Sequence, residues 1–310
     1  MTAGAGIAAA PAKKDWRGAG PGCTFRPVRS PVNTRDPEAV RAACAAEWSA
    51  ITGVGDEGLL ARAFGWLEQS FSGRHPDFEP LDMRYHDLEH TLQGCLCLAR
   101  LLGGWHRSGT HPRLTSRSVR LGMVSIVLHD TGYLKHRGDR VGTGAKFTPV
   151  HVQRSAEFAA RLLAAEGFSR EDVREVQSMI CCTGVAAKVD GLSFESGLHR
   201  RMGCAIATAD LLGQMAAADY PEKLSALFLE FAESAAANPP GTNHATFASA
   251  DDLIRQTPAF WERYVQPRLG TDFDGVFRYL NDPWPDGPNE YLLRIAENVA
   301  RIQGMVSSGR

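Results

Sequence analysis

The chain has 310 residues, 44% of them hydrophobic and 22% charged, with a net charge of −1. That composition supplies a packed core and excludes global disorder, and the balance of charge excludes a generally basic nucleic-acid binder. No apolar run reaches the roughly 18 residues of a membrane span, and the opening MTAGAGIAAAPAKK has no basic region ahead of a long apolar stretch, so neither membrane insertion nor a signal peptide is expected and the compartment read is cytoplasmic.

Residues 1–35 are rich in Ala, Gly and Pro and carry Lys13, Lys14, Arg17, Arg26, Arg29 and Arg35 against Asp15 alone. They read as a flexible basic tail. Residues 36–310 read as a single helical domain. Asp36-Pro37 predicts an N-cap with proline at the first helical position, and Val40, Ala43, Cys44, Trp48 and Ile51 then recur at helical spacing. Leu59, Leu60, Ala63, Phe64 and Leu67 form a second stripe. Leu92 to Leu101 continues the apolar content after HDLEH, and Arg117 to Val127 leads into Leu128-His129-Asp130. Thr148-Pro149 predicts another helix start, and Ser169 with Asp172 resembles a capping box. Apolar periodicity over 206–215, 224–231, 253–269 and 291–302 completes the set. Gly- and Pro-rich loops are expected at 72–80, 131–148, 184–194, 237–243 and 282–288, with no alternating strand and no internal repeat. The expected fold is all-α, with about ten helices around one core.

The cysteines, Cys23, Cys44, Cys95, Cys97, Cys181, Cys182 and Cys204, form no CxxC pair and lie mostly in apolar runs. They read as reduced core residues. His86 and His90 stand four apart in RYHDLEHT, a spacing that places both imidazoles on one face of a helix. His129-Asp130 ends the apolar run GMVSIVL; a carboxylate there either caps the next turn or is paired or metal-bound, because burying it alone is costly. Asp210 lies inside CAIATADLLGQMA, where a helix interior gives it no capping role and little solvent. Together His90, His129, Asp130 and Asp210 suit a divalent metal; mixed imidazole and carboxylate donors fit Mn²⁺, Fe²⁺ or Zn²⁺, and Mg²⁺ less well. His75, His106, His111, His199 and His244 are expected at the surface.

In this order, the residues resemble the HD-domain metal-dependent phosphohydrolase superfamily, whose pattern His, His-Asp, Asp reads here as His90, His129-Asp130, Asp210. RYHDLEH is also similar to the YHNxxH signature of cyclic-nucleotide phosphodiesterases and small bacterial HD phosphohydrolases, with Asp87 in place of Asn. The resemblance covers about residues 80–235. It implies an HD-type helical bundle holding one or two ions, with His86 as general acid, His90 as metal ligand, and His151 serving a second ion that Asp130 would bridge. It implies His86 and Asp130 as the catalytic pair. The chain departs from the broader pattern in having no second HD and no adjacent His-His pair, Cys181-Cys182 falling about where one would lie, and it lacks the GYP motif of the cyclic-dinucleotide branch.

The stretch 131–154 carries Lys135, Arg137, Arg140, Lys146 and Arg154 against Asp139. Beside a metal motif this local excess fits phosphate recognition, with Lys135, Arg140, Lys146 and Arg154 as candidate substrate contacts; a solvated loop is the other reading. Gly132, Gly138, Gly142 and Gly144 suggest a mobile lid. The expected activity is hydrolysis of a phosphoester, as phosphomonoesterase or phosphodiesterase, on a small phosphorylated substrate of nucleotide type. The alternatives are a di-iron oxygenase of the same superfamily, with His86 and His151 as further ligands, and a non-catalytic module that senses a nucleotide. No membrane partner or stable nucleic-acid complex is expected, and a homo-oligomer is compatible with the sequence.

Overall fold

The computed structural model describes residues 31–308 except 55, 185, 240 and 243–246. Residues 1–30, most of the expected basic tail, and His244 lie outside the described residues. A compact unit begins at Val32. Among the described residues there are eleven α-helical segments and no strand: α1 (Pro37–Thr52), α2 (Glu57–Phe71), α3 (Leu88–Ser108), α4 (Ser116–Leu128), α5 (His151–Ala165), α6 (Arg170–Ile180), α7 (Gly197–Met215), α8 (Tyr220–Ala237), α9 (Ala250–Phe260), α10 (Gln266–Gly270) and α11 (Glu290–Ser307). A π-turn over Trp261–Val265 joins α9 to α10 without a break, so these segments make ten rods. The all-α expectation holds, and no helix among the described residues is long and apolar enough to cross a membrane.

Short polar side chains start most of these helices by accepting the first free backbone N–H groups. Asp36 accepts from Glu38 and Ala39, and Pro37 follows at the first helical position. Thr115 and Ser118 form a reciprocal capping box on α4. Ser169 caps α6 through the Asp172 amide, but the box stays half made, because the Asp172 carboxylate goes to Arg117 and Arg120 at 2.7 and 2.6 Å. Two expected starts move. Asp87 caps α3, accepting from the His90 N–H at 2.8 Å, so His86 precedes the helix and the common-face argument for His86 and His90 does not apply. Residues 144–147 form a 3-10 turn and 148–150 a further turn, so α5 begins at His151 rather than at Thr148.

The core is organised around α3, where every residue from His90 to Trp105 except Arg100 is buried. It packs against α1, α4 and α7. Glycines let the backbones close up. A β-carbon on Gly213 of α7 would stand 2.9 Å from the Gln93 backbone of α3, and one on Gly122 of α4 would stand 2.6 Å from Met202 of α7. At the far end of α3, Trp105 stacks on Tyr279 with centroids 5.3 Å apart. Cys44, Cys95, Cys97, Cys182 and Cys204 are buried and Cys181 is half-buried, all as free thiols, and burial pushes Cys44 up to about 12. These six match their core reading; Cys23 lies outside the described residues.

Candidate metal centre

The tight α3–α4–α7 packing brings three distant segments to one point. His90 enters from the first turn of α3, His129 from the C-terminal cap of α4, Asp130 from the residue after it, and Asp210 from the middle of α7. His90, His129 and Asp130 are each at most 3% exposed. His90 Nε2 lies 3.1 Å from Asp130 Oδ2 and 3.3 Å from Asp210 Oδ1. His129 Nε2 lies 3.2 and 3.4 Å from the same two oxygens. Four donors around one ion at roughly 2.1 Å stand about 3.0–3.4 Å apart, depending on coordination geometry. His129 Nε2 and Asp130 Oδ2 are buried without a hydrogen-bond partner despite this proximity. Protons therefore do not complete the cluster in the way that a cation accepting all four lone pairs would. The residues fit a divalent ion, and His90, His129 and Asp130 form a group able to hold one.

The supports point the same way. His129 Nδ1 donates to the Ile126 carbonyl at 2.8 Å, which leaves the Nε2 lone pair facing the cluster. Gln214 Nε2 donates to Asp210 Oδ1 at 3.3 Å, and Gln214 Oε1 accepts from the Tyr85 hydroxyl at 2.6 Å. His90 Nδ1 has no partner. Burial opposes charge on His90, but Asp130 and Asp210 more than reverse this and raise it to about 9. His129 is also raised well above its ordinary value, against its burial, by the same carboxylates. Burial alone would raise Asp130 and Asp210; the two imidazoles hold both below the usual carboxylate range.

His86 and His151 flank this group. His151 Nε2 stands 3.9 Å from Asp130 Oδ1, the oxygen turned away from His90 and His129. Its Nδ1 bonds the Thr148 carbonyl at 2.6 Å, and its pKa is lowered, first by burial. His86 Nδ1 bonds Glu230 Oε2 at 2.6 Å, while Glu230 Oε1 accepts the backbone N–H groups of Arg84 and Tyr85 at 2.9 and 2.7 Å. Tyr133 stacks on both rings, 4.8 Å from His86 and 4.5 Å from His151. Gly132 makes this possible: its N–H bonds Ser155 Oγ at 2.8 Å, and a β-carbon there would collide with the His151 carbonyl.

The basic loop is arranged differently from the cluster. Lys135 pairs with Asp82 at 2.7 Å and donates to the Gly142 carbonyl. Lys146 pairs with Asp139 at 2.7 Å. Arg154 donates to the Gly132 and Leu134 carbonyls and lies over the Phe147 ring at 3.7 Å. Arg140 is exposed. The loop is also fastened to α8, where Glu233 Oε2 accepts from the Thr143 hydroxyl at 2.7 Å. Glu230 carried no sequence signal, since a glutamate in an amphipathic helix reads as a solvated face. His199, expected at the surface, is 4% exposed: α7 begins at Gly197, ahead of the apolar run at 206, and so carries it into the interior.

The order of ligands, the helical fold and the buried cluster are compatible with an HD-like domain. A family model described as Npun_R2479-like is similar to residues 139–281, a stretch that takes in His151, Asp210 and Glu230 and begins just beyond His129-Asp130. That description names no HD family. No curated protein matches the chain.

Proposed function

We propose that the chain is a metal-dependent phosphohydrolase acting on a phosphoester of a small, nucleotide-type substrate. The observation that carries the reading is the convergence of two buried imidazoles on two carboxylates: the Nε2 atoms of His90 and His129 each lie 3.1–3.4 Å from Asp130 Oδ2 and Asp210 Oδ1. His90, His129, Asp130 and Asp210 would hold a divalent ion, Mn²⁺, Fe²⁺, Zn²⁺ or Mg²⁺, and the chemistry it would supply is an acidified water and a polarised phosphoryl oxygen. Asp130 divides its oxygens: Oδ2 joins the four-donor cluster, and Oδ1 faces His151 across 3.9 Å, a gap that suits a bridging water. His86 supplies the proton for the departing oxygen. Its Nδ1 is committed to Glu230, which leaves Nε2 as the proton-carrying atom, and Tyr133 fixes the ring plane. Arg140 is the first candidate for a phosphate contact, because Lys135, Lys146 and Arg154 already hold carboxylates or carbonyls. Buried thiols suit the reducing cytoplasm.

The test is release of phosphate or a nucleoside monophosphate from a panel of phosphoesters, with each metal supplied in turn. Asp130→Ala is expected to abolish turnover, and full activity in that variant would overturn the reading. A second reading rests on His86 and His151, whose rings lie 6.4 Å apart beside Asp130: as additional ligands they would complete a two-iron centre for an oxygenase. Two bound irons and substrate-dependent oxygen uptake, without phosphate release, would favour it.

A further inference from the structure

A second group of metal-type donors lies where α6 meets the start of α7. Glu175 projects from α6, Glu195 precedes the Ser196 cap of α7, and His199 follows in the first turn. His199 Nδ1 stands 3.3 Å from Glu175 Oε2 and 3.6 Å from Glu195 Oε2. The His199 and Glu175 side chains are only 6% and 7% exposed, yet neither His199 Nδ1 nor Glu175 Oε2 has a hydrogen-bond partner. The neighbouring cations do not account for this. Arg117 and Arg120 both hold Asp172, and Arg117 Nη1 also reaches Glu195 Oε2 at 2.7 Å. Glu175 Oε1 accepts the Glu195 N–H at 2.5 Å, so Oε2 is left as a buried carboxylate oxygen facing the His199 ring at 3.3 Å with no hydrogen bond, which is costly.

We propose that Glu175, Glu195 and His199 form a second site for a divalent transition metal, Zn²⁺ first among them. Donors on a tetrahedral ion at about 2.1 Å stand roughly 3.4 Å apart, close to the two separations seen. One imidazole and two carboxylates form a borderline-hard donor set suited to Zn²⁺ or Mn²⁺. Glu195 is 52% exposed, which opens a fourth position to water. The site is separate from the first: His199 and Asp210 are on one helix, about 16 Å apart at 1.5 Å rise per residue. Its role is structural, tying the start of α7 to α6. Arg117 is its internal competitor, since binding requires Glu195 Oε2 to leave that guanidinium.

The experiment uses the full chain, stripped by chelator and then equilibrated with Zn²⁺ alone. Elemental analysis is expected to find one equivalent fewer in Glu175→Gln and in His199→Gln than in the parent, while Asp210→Asn keeps this equivalent. Crystals exposed to Zn²⁺ should show an anomalous peak between His199 Nδ1 and Glu175 Oε2. Arg117→Gln leaves all three ligands in place and removes the competing cation, so zinc should bind this site at least tenfold more tightly. Equal zinc in the parent and both ligand variants, or unchanged affinity in Arg117→Gln, would overturn the proposal and leave His199 as a proton-bearing ring between two glutamates.

Discussion

Glu230 lies 144 residues beyond His86 in the chain, yet it holds that imidazole at 2.6 Å and two backbone amides besides. Glu230→Gln keeps an acceptor for the amides but removes the charge behind the ring. If His86 is the general acid, this change should lower kcat on poor leaving groups by about 10²-fold, within the range of acid–base catalysis, and leave bound metal unchanged. Parallel kinetics and metal analysis check it; loss of metal instead would place Glu230 in the metal centre. The cluster also predicts a pH dependence. In the metal-free protein His90 is raised from 6.5 to about 9, so its contribution to stability is complete below pH 6.5 and is lost as pH rises through about 9. The same proton competes with metal, so metal affinity should climb over that interval. Urea unfolding and metal titration between pH 6 and 10 test both signs. Asp130 and Asp210 were legible because a carboxylate in an apolar helical run has no cheap environment. His199 and Glu230 were not, because each lies in a stretch whose pattern also suits a surface.

The helices were legible wherever a cap and a stripe agreed, as at Asp36-Pro37 and Ser169. HDLEH misled because Asp87 ends a turn rather than continuing a helix, and the aspartate that stands in place of Asn in the resembling signature does this capping. Its other oxygen meets Lys223 of α8 at 3.3 Å. Asp87→Ala is therefore expected to cost about 1 kcal/mol, the ordinary value of an N-cap, readable as a shift in the denaturation midpoint. Close packing of elements had no sequence signal, since Gly213 reads as a blemish in an apolar helix until its approach to Gln93 is seen. Gly213→Ala should push α3 from α7, cost about 1–3 kcal/mol as overpacking does, and weaken metal binding by separating His90 from Asp210. Calorimetry with and without metal distinguishes that result from a harmless substitution.

At the scale of the whole molecule the all-α fold was readable because nearly every segment after Asp36 keeps one helical period. Where the compact unit begins was less so: Val32 opens it, and Thr34 and Arg35 already reach Glu89 of α3, at 3.1 and 3.2 Å. A chain starting at residue 32 should keep its melting temperature and bound metal, whereas one starting at 37 loses the Asp36 cap and the Arg35 pairs and should be less stable by about 1–2 kcal/mol. Thermal melts of the two truncations decide this.

The first cluster draws its donors from residues 90, 129, 130 and 210. An ion seated there is therefore a reversible cross-link that closes two long loops of chain, and closing long loops removes freedom mainly from the unfolded ensemble. Proteases would register this before any assay of turnover. Chelation should expose the 131–209 region to cleavage well ahead of α9 and α11, which pack on each other and on α8.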